Sequence, residues 1–198
     1  DDDCDGAIDE GETCAVMYHL YGPDNQRARG IVIDSSNNFY IVGFYDTEIN
    51  FGTVAKQTSR GGSDGFVAKF NPKGEYLWSV QIGGTLGDTV QGIEMGSRGN
   101  LYIYGTFQGT VKFGSQTLTS SGSNDVFVSK LDTSGKFLWT SHIKSTQSVS
   151  VADLELDSSN NVFVYGHFTN TATCGSTNLT ANGGADVYIT RLSSSGSF

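Results

Sequence analysis

The sequence predicts an all-β fold built from three tandem copies of one unit, and three observations lead to this prediction. The first is composition, because 26 glycines and only two prolines among 198 residues, with abundant Ser, Thr and Asn, are typical of short strands joined by tight turns. The second is that no window shows convincing helical periodicity. The third is internal repetition, which is the most informative of the three.

One ten-residue segment occurs three times, as GGSDGFVAKF (61–70), GSNDVFVSKL (122–131) and GGADVYITRL (183–192). Its aspartates follow one another at a spacing of 61 residues and are Asp64, Asp125 and Asp186. Trp78 and Trp139 keep the same spacing. The turns DSSNN, GSRGN and DSSNN before the second apolar run also recur, with one extra residue between the first two copies.

Each copy contains apolar runs that predict four strands, A to D. Strand A is GIVI, GIEM or DLEL; strand B is FYIVGF, LYIYGTF or VFVYGHF; strand C is FVAKF, VFVSKL or VYITRL; strand D is YLWSVQI or FLWTSHI. Strands B and D are apolar at most positions, as expected for sheets that are buried on both faces. Four short antiparallel strands per copy therefore indicate units stacked around an axis, as in a β-propeller.

The predicted boundaries of the three copies are 30–82, 92–143 and 153–198. Phe198 aligns with Phe137 at the start of strand D, so the third copy has no strand D within this sequence. The segment AVMYHLY (15–21) aligns with strand D and precedes the first strand A. We therefore expect the two ends to complement each other and to hide two unpaired strand edges.

The motifs Asp-Ser-x-Gly/Asn-Asn, Val-Tyr-Val-x-Gly, Asp-Val-Phe-Val-x-Lys-Leu and Gly-x-x-x-Trp, taken together over 15–198, resemble those of the bacterial seven-bladed β-propeller repeat family. The resemblance implies a propeller in an extracellular or bacterial cell-surface setting, with no common catalytic activity. Three units are too few for an ordinary closed ring. Either a longer chain supplies more units, or separate chains complete one another by strand exchange.

The first 14 residues form an acidic segment, DDDCDGAIDEGETC. It matches the calcium-loop template D-x-D-x-D-G-x5-E, with ligands predicted at Asp1, Asp3, Asp5, the Ala7 carbonyl, Asp9 and Glu12. Gly11 and the absence of a following helical pattern argue against a helix–loop–helix site. The segment instead resembles the DxDCDGxxDE calcium motifs of secreted bacterial surface proteins, and its alternative interpretation is a solvated acidic tail. Cys4 and Cys14 can close this loop, but three cysteines do not decide the pairing.

Charge and motif content argue against several classes of function. A net charge of −9 disfavours a nucleic-acid partner, and no apolar run approaches the roughly 20 residues that span a bilayer. The histidines, His19, His142 and His167, have no histidine at equivalent positions and no nucleophile motif near them. We therefore predict no catalytic residues and no enzyme activity. The alternatives are a glycan-binding lectin or a fragment of a propeller glycosidase or lyase that uses Glu94 and Glu155.

Residues that recur once per copy are predicted to support the scaffold. The aspartate is expected to cap the turn before strand C, and Lys69, Lys130 and Arg191 to pair with a neighbouring unit. Trp78 and Trp139 are expected to fill the core between units. Cys174 aligns with Phe113, which predicts a buried apolar position.

Binding is predicted on the face that carries the variable connections. Antiparallel order places the B–C excursions (46–62, 108–123, 169–184) and the D–A loops (22–29, 84–91, 144–152) at the same end of each sheet. Candidate contact residues there are Arg27, Arg29, Asp88 and Gln147, facing a protein or glycan partner.

Overall fold

The structure is a computed structural model that describes residues 18–198, which form strands and turns without a helix. The strands of the first copy and the segment before it are β1 (Leu20–Tyr21), β2 (Gln26–Ile33), β3 (Phe39–Tyr45), β4 (Glu48–Phe51), β5 (Ala55–Thr58), β6 (Asp64–Phe70) and β7 (Tyr76–Ile82). Those of the second are β8 (Thr89–Met95), β9 (Leu101–Phe107), β10 (Thr110–Phe113), β11 (Gln116–Thr119), β12 (Asp125–Leu131) and β13 (Phe137–Ser145). Those of the third are β14 (Ser148–Leu156), β15 (Val162–Thr169), β16 (Thr171–Cys174), β17 (Thr177–Thr180) and β18 (Asp186–Leu192). This part of the chain has no helix that is long and apolar enough to cross a membrane.

The predicted four-stranded order is confirmed in the first two copies. The antiparallel order is β2-β3-β6-β7 in the first copy, and β8-β9-β12-β13 lies within a larger sheet in the second. The third copy forms the three-stranded sheet β14-β15-β18, so the outer edge of its strand C has no partner strand among the described residues.

Each B–C excursion contains a two-stranded hairpin, where the sequence predicted only a polar connection. These outer hairpins are β4–β5, β10–β11 and β16–β17. Their first strands have buried residues at every second position, which a four-residue window barely reveals. The hairpin of the third copy extends the sheet of the second, because Ile143 of β13 pairs with Cys174 of β16.

The A–B turns place one residue of each copy in the left-handed region of backbone space. These residues are Asn37, Gly99 and Asn160, with φ of 60°, 77° and 58°. Asn and Gly are the residue types that adopt this conformation most readily, which accounts for the recurring DSSNN and GSRGN turns.

Two of the apolar cores lie between the copies, and a third joins strands β3 and β6 of the first copy to its outer hairpin β4–β5 and contains Tyr45, Ile49, Phe51, Phe66, Ala68 and Phe70. One core joins the first copy to the second and contains Tyr40, Val42 and Val67 on one side and Ile93, Leu101, Ile103 and Phe127 on the other. The next core joins the second copy to the third at equivalent positions and contains Tyr102, Tyr104, Val126 and Val128 on one side and Leu154, Val162, Val164 and Tyr188 on the other. The sheet of the second copy is therefore buried on both faces.

The short strand β1 lies against the outer hairpin of the first copy. Leu20 pairs with Phe51, as Ile143 of strand D pairs with Cys174 one junction later. The alignment of 15–21 with strand D was therefore wrong by one residue: Leu20, and not Tyr21, occupies the position of Ile143. This segment does take the place of a strand D in front of the first copy, over the residues that the structure describes.

Candidate functional site

The end of each sheet that carries the outer hairpins is held by the recurring aspartate. Each side chain accepts a hydrogen bond from the backbone N–H four residues earlier: Arg60 to Asp64 at 3.2 Å, Ser121 to Asp125 at 2.9 Å and Asn182 to Asp186 at 2.8 Å. This confirms the predicted cap before strand C. Asp64 and Asp125 are fully buried, so these carboxylates act within the scaffold and offer nothing to a partner.

Asp88, predicted as a contact residue, is instead fully buried. Its carboxylate accepts the backbone N–H of Gly84 at 2.7 Å and that of Gln108 at 2.9 Å. Burial raises the pKa of Asp88 to about 6, against the lowering effect of these two donors. The prediction for this residue was wrong, since a side chain without exposed surface cannot contact a partner.

The other three predicted contact residues lie at the surface. Arg27 and Arg29 belong to strand β2 and not to a loop, because β2 begins at Gln26. The guanidinium carbon of Arg29 lies 5.4 Å from the centre of the Phe44 ring. Gln147 lies in the two-residue turn between β13 and β14, and its backbone N–H donates to the Ser145 hydroxyl at 3.1 Å. All three side chains are exposed.

A groove lies between strand D of the first copy and the outer hairpin of the second. Its volume is about 950 Å³, and three cationic side chains line it: Arg60, Lys112 and Lys136. The Arg60 guanidinium donates to the Gly83 carbonyl at 3.0 Å, which fixes it beside the groove. The equivalent positions at the next junction are Ser121, Thr173 and Ser197, so these three cations have no counterpart there, although Lys144 occupies the position of Gly83.

The opposite ends of the sheets are joined by the recurring tryptophan and lysine. The Trp78 indole N–H donates to the Thr133 carbonyl at 3.1 Å, and that of Trp139 donates to Ser194 at 3.2 Å. The Nζ atoms of Lys69 and Lys130 reach the same two carbonyls at 3.4 Å. The predicted pairing with the neighbouring unit is thus confirmed for both lysines.

The histidines are spread over three places. The His142 Nε2 lies 2.9 Å from an oxygen of Asp125, and His167 Nδ1 lies 3.4 Å from the Ser150 hydroxyl. The ring of His19 lies 5.2 Å from that of Tyr21, centre to centre. His142 thus contacts an acid and His167 a hydroxyl. Cys174 is buried as predicted.

A carboxylate pair lies on the innermost strands. Burial raises the pKa of Glu94, and the charges of Glu155 and Asp153 raise it further. The Tyr104 hydroxyl donates to Asp153 at 2.7 Å.

No group of three or more metal-binding side chains converges within residues 18–198. The predicted calcium loop, with Cys4 and Cys14, lies outside the described residues.

The third copy presents an exposed apolar face. The face consists of Phe163, Tyr165, Val187 and Ile189. The equivalent residues of the second copy are Tyr102, Tyr104, Val126 and Val128, and all four are buried. Val187 is 62% exposed and Ile189 is 74% exposed, whereas Val126 and Val128 are fully buried. We call these four residues the rear face.

The first copy presents the complementary surface. Ile31 is 61% exposed and Ile33 is 63% exposed, although Ile93, the equivalent of Ile31, is buried against the preceding copy. We call Ile31 and Ile33 the front face. Sequence reasoning missed both faces, but the repeat alignment carried the signal, because a position that is apolar in every copy is expected to meet a neighbouring copy.

Comparisons with known proteins give distant relatives. No family model matches the chain. It is 31% identical over 101 residues, 49% of its length, to the regulatory protein FlaEY of Caulobacter vibrioides. It is 25% identical over 154 residues, 70% of its length, to a WD repeat-containing protein of Acanthamoeba polyphaga mimivirus. The chain spans only 10% and 11% of these two relatives.

The chain is an all-β repeat protein. The sheets and the equivalent cores between them establish this, and the similarity to a WD repeat-containing protein agrees with it.

Proposed function

We propose that the chain forms part of a β-propeller that acts as a structural and interaction module of a bacterial surface or secreted protein. One observation carries the architecture: the same sheet packs against its successor through the same positions at both junctions. Stacking of four-stranded sheets in this way is how propeller blades build a continuous core. The WD repeat-containing relative supports the assignment, and the sequence resemblance supports the extracellular setting.

The groove at the first junction is the proposed binding place of this module. Three cations line it, although the net charge of the chain is −9. A ligand with carboxylate groups is therefore attracted to the groove and repelled by the rest of the acidic surface. A glycan with uronic acids fits this chemistry, because an open groove accommodates an extended polymer. The role is recognition without turnover.

The test compares binding to alginate, an acidic polysaccharide, with binding to neutral dextran. The double variant Lys112→Thr and Lys136→Ser introduces the residues of the second junction at two of the three cationic positions and is expected to weaken alginate binding at least tenfold. Both side chains are exposed, so the fold is expected to remain unchanged in circular dichroism. The matched control is Lys144→Thr, which removes an exposed cation elsewhere. Equal binding by all three proteins would contradict the proposal.

An enzyme is the second candidate, and the raised pKa of Glu94 beside Glu155 is the observation that favours it. A carboxyl group with a raised pKa beside a second carboxyl group is the arrangement that glycoside hydrolases use. Release of reducing sugar from a polysaccharide panel, abolished in Glu94→Gln and Glu155→Gln, would support hydrolysis. If no polysaccharide of the panel releases reducing sugar, the enzyme proposal is wrong and the binding proposal stands.

Calcium binding by residues 1–12 is proposed on the sequence alone. Titration calorimetry with calcium is expected to give one site that Asp3→Asn and Glu12→Gln weaken strongly, because both remove a charged oxygen ligand. Asp24→Asn, outside the motif, serves as the control. Absence of heat in the unaltered chain would assign the segment as a solvated acidic tail.

A further inference from the structure

The exposed end of the third copy combines an apolar face with an open strand edge. The rear face is exposed at positions that are buried in both other copies. In the first two copies strand C pairs on both sides, and in the third the outer edge of β18 has no strand beside it among the described residues. A long open edge next to an apolar surface is a site for strand addition.

The strand β1 lacks the neighbour that β18 could provide: β18 is a strand C without a strand D, and β1 is a strand D without a strand C among the described residues. Strand D of the second copy, β13, pairs with its own strand C through one edge and with the next outer hairpin through the other. β1 makes only the second kind of pairing, with β4. Its other edge is therefore the one that a strand C of a preceding unit would occupy.

We propose that the rear face of one chain packs against the front face of a second copy of this chain, with β1 of the second copy pairing beside β18 of the first. The inference rests on the proposed propeller architecture. It continues an interface that is already present twice within the chain, since the front-face residue Ile31 corresponds to Ile93 and Leu154, which are buried at the two internal junctions.

The internal junctions fix the register of the new pairing. Val126 pairs with Ile143, Phe127 with His142 and Val128 with Ser141. The equivalent pairs across two copies are Val187 with Leu20, Tyr188 with His19 and Ile189 with Tyr18 of the second copy. Tyr18 and His19 are exposed, as this arrangement requires.

The number of copies follows from the geometry of propellers, which contain about 4 to 8 blades. Residues 18–198 supply three units, and six is the only multiple of three in that range. Two chains joined at two identical rear-to-front contacts close such a ring with two-fold symmetry. The expected particle is a dimer with twice the chain mass of 21.2 kDa.

The first experiment measures the mass of the full chain by light scattering at increasing concentration. We expect a dimer, and we expect monomers for Ile189→Lys and for Ile33→Lys, whose side chains are exposed and not needed for the fold of one copy. Leu86→Lys changes an exposed apolar residue between the first two copies and is expected to remain dimeric. A chain that is monomeric at every soluble concentration overturns the proposal.

Mixing the two monomeric variants distinguishes this contact from self-association of one patch. Ile189→Lys retains an intact front face and Ile33→Lys retains an intact rear face, so the mixture is expected to regain dimers through one contact. If the mixture stays monomeric while the unaltered chain dimerises, the rear-to-front contact is wrong.

A cross-linking experiment tests the register. In a background with Cys4, Cys14 and Cys174 replaced by serine, Tyr18→Cys with Ile189→Cys is expected to give a disulfide-linked dimer that a reductant dissolves. The control pair, Val128→Cys with Ser141→Cys, occupies the equivalent positions within one chain and is expected to close internally. Closure of the control without any linked dimer overturns the register.

The assembly and the binding function can fail separately. A chain that is monomeric and still binds alginate would overturn the proposed assembly and leave the proposed binding function in place.

Discussion

The two internal junctions contain the same buried aspartate with different partners. At the second junction Asp125 accepts hydrogen bonds from the backbone N–H groups of Ser121 and Ser145, and its carboxylate also contacts His142. At the first junction one oxygen of Asp64 accepts from Arg60 and Gln81, while the other, buried oxygen has no hydrogen-bond partner within residues 18–198.

The cause of the difference is the residue at position 88. Gly84 is the equivalent of Ser145, but its N–H donates to Asp88 and not to Asp64. The equivalent of Asp88 at the second junction is Val149, which is buried without competing for that donor. One aspartate in place of a valine has therefore redirected a backbone donor and placed a second carboxylate beside the first. The charge of Asp64 contributes to the raised pKa of Asp88, after burial.

The largest expected loss of stability follows from removing the carboxylate of Asp125, whose two oxygens both have hydrogen-bond partners. Asp125→Ala leaves the buried Ser145 N–H, the Ser121 N–H and His142 without their acceptor, and we expect the free energy of unfolding to fall by about 3 kcal/mol. Asp64→Ala is expected to cost about 1 to 2 kcal/mol, because it also removes a desolvated, partly unpaired charge. Urea unfolding followed by tryptophan fluorescence measures both. Equal losses would show that the two aspartates are equivalent after all.

Transferring the aspartate to the other junction is expected to have the next largest effect. Val149→Asp buries a carboxyl group where the Ser145 N–H already donates to Asp125, so we expect a loss of about 2 kcal/mol at pH 7. Val149→Asn, which is similar in size and uncharged, serves as the control and is expected to lose less. A neutral effect of Val149→Asp would mean that this junction can supply a donor that the unaltered structure does not show.

The pH dependence of stability is expected to differ between the junctions. The pKa of Asp88 is about 6 in the folded chain and roughly 4 in an unfolded one, so between these values the folded state binds the extra proton. Stability therefore increases as pH falls, by about 1 kcal/mol from pH 7 to pH 5. Burial also raises the pKa of Asp64, which acts in the same direction.

Asp88→Val tests this assignment, because valine is the residue at the equivalent position of the second junction. The variant is expected to lose most of the gain in stability between pH 7 and pH 5, measured by urea unfolding at each pH. It also frees the Gly84 N–H for Asp64, so its stability at pH 7 is expected to stay near that of the unaltered chain. A gain that persists in Asp88→Val would assign the proton uptake to another group.

The repeated elements could be predicted from the sequence because the same residue types recur at equivalent positions in each copy. Strands A to D, the aspartate caps and the lysine and tryptophan contacts are all of this kind. The outer hairpins were missed because four-residue strands with two apolar positions give a weak signal. Asp88 was misassigned because its burial depends on Gln108 and on the Ser63 carbonyl, which accepts its backbone N–H at 2.7 Å from a distant part of the sequence.

The smallest expected difference concerns the lysines at the other end of the two junctions. Both Nζ atoms lie about 5 Å from a tyrosine ring, at 4.8 Å for Lys69 over Tyr40 and 5.0 Å for Lys130 over Tyr102. Lys69 has in addition an ion pair with Asp34 at 3.5 Å, whereas Gly96 occupies the equivalent position in the second copy. The first junction thus has one more favourable contact at this end.

Replacing each lysine with methionine retains the apolar stem and removes the charge. We expect Lys69→Met to lower the free energy of unfolding by about 1 kcal/mol and Lys130→Met by about 0.5 kcal/mol. The excess for Lys69 is expected to shrink only slightly in 1 M sodium chloride, because the pair with Asp34 is mostly buried and salt screens such pairs less than exposed ones. If the two losses are equal at low salt, the Asp34 contact adds nothing and the cation–π contacts with the two tyrosines account for both effects.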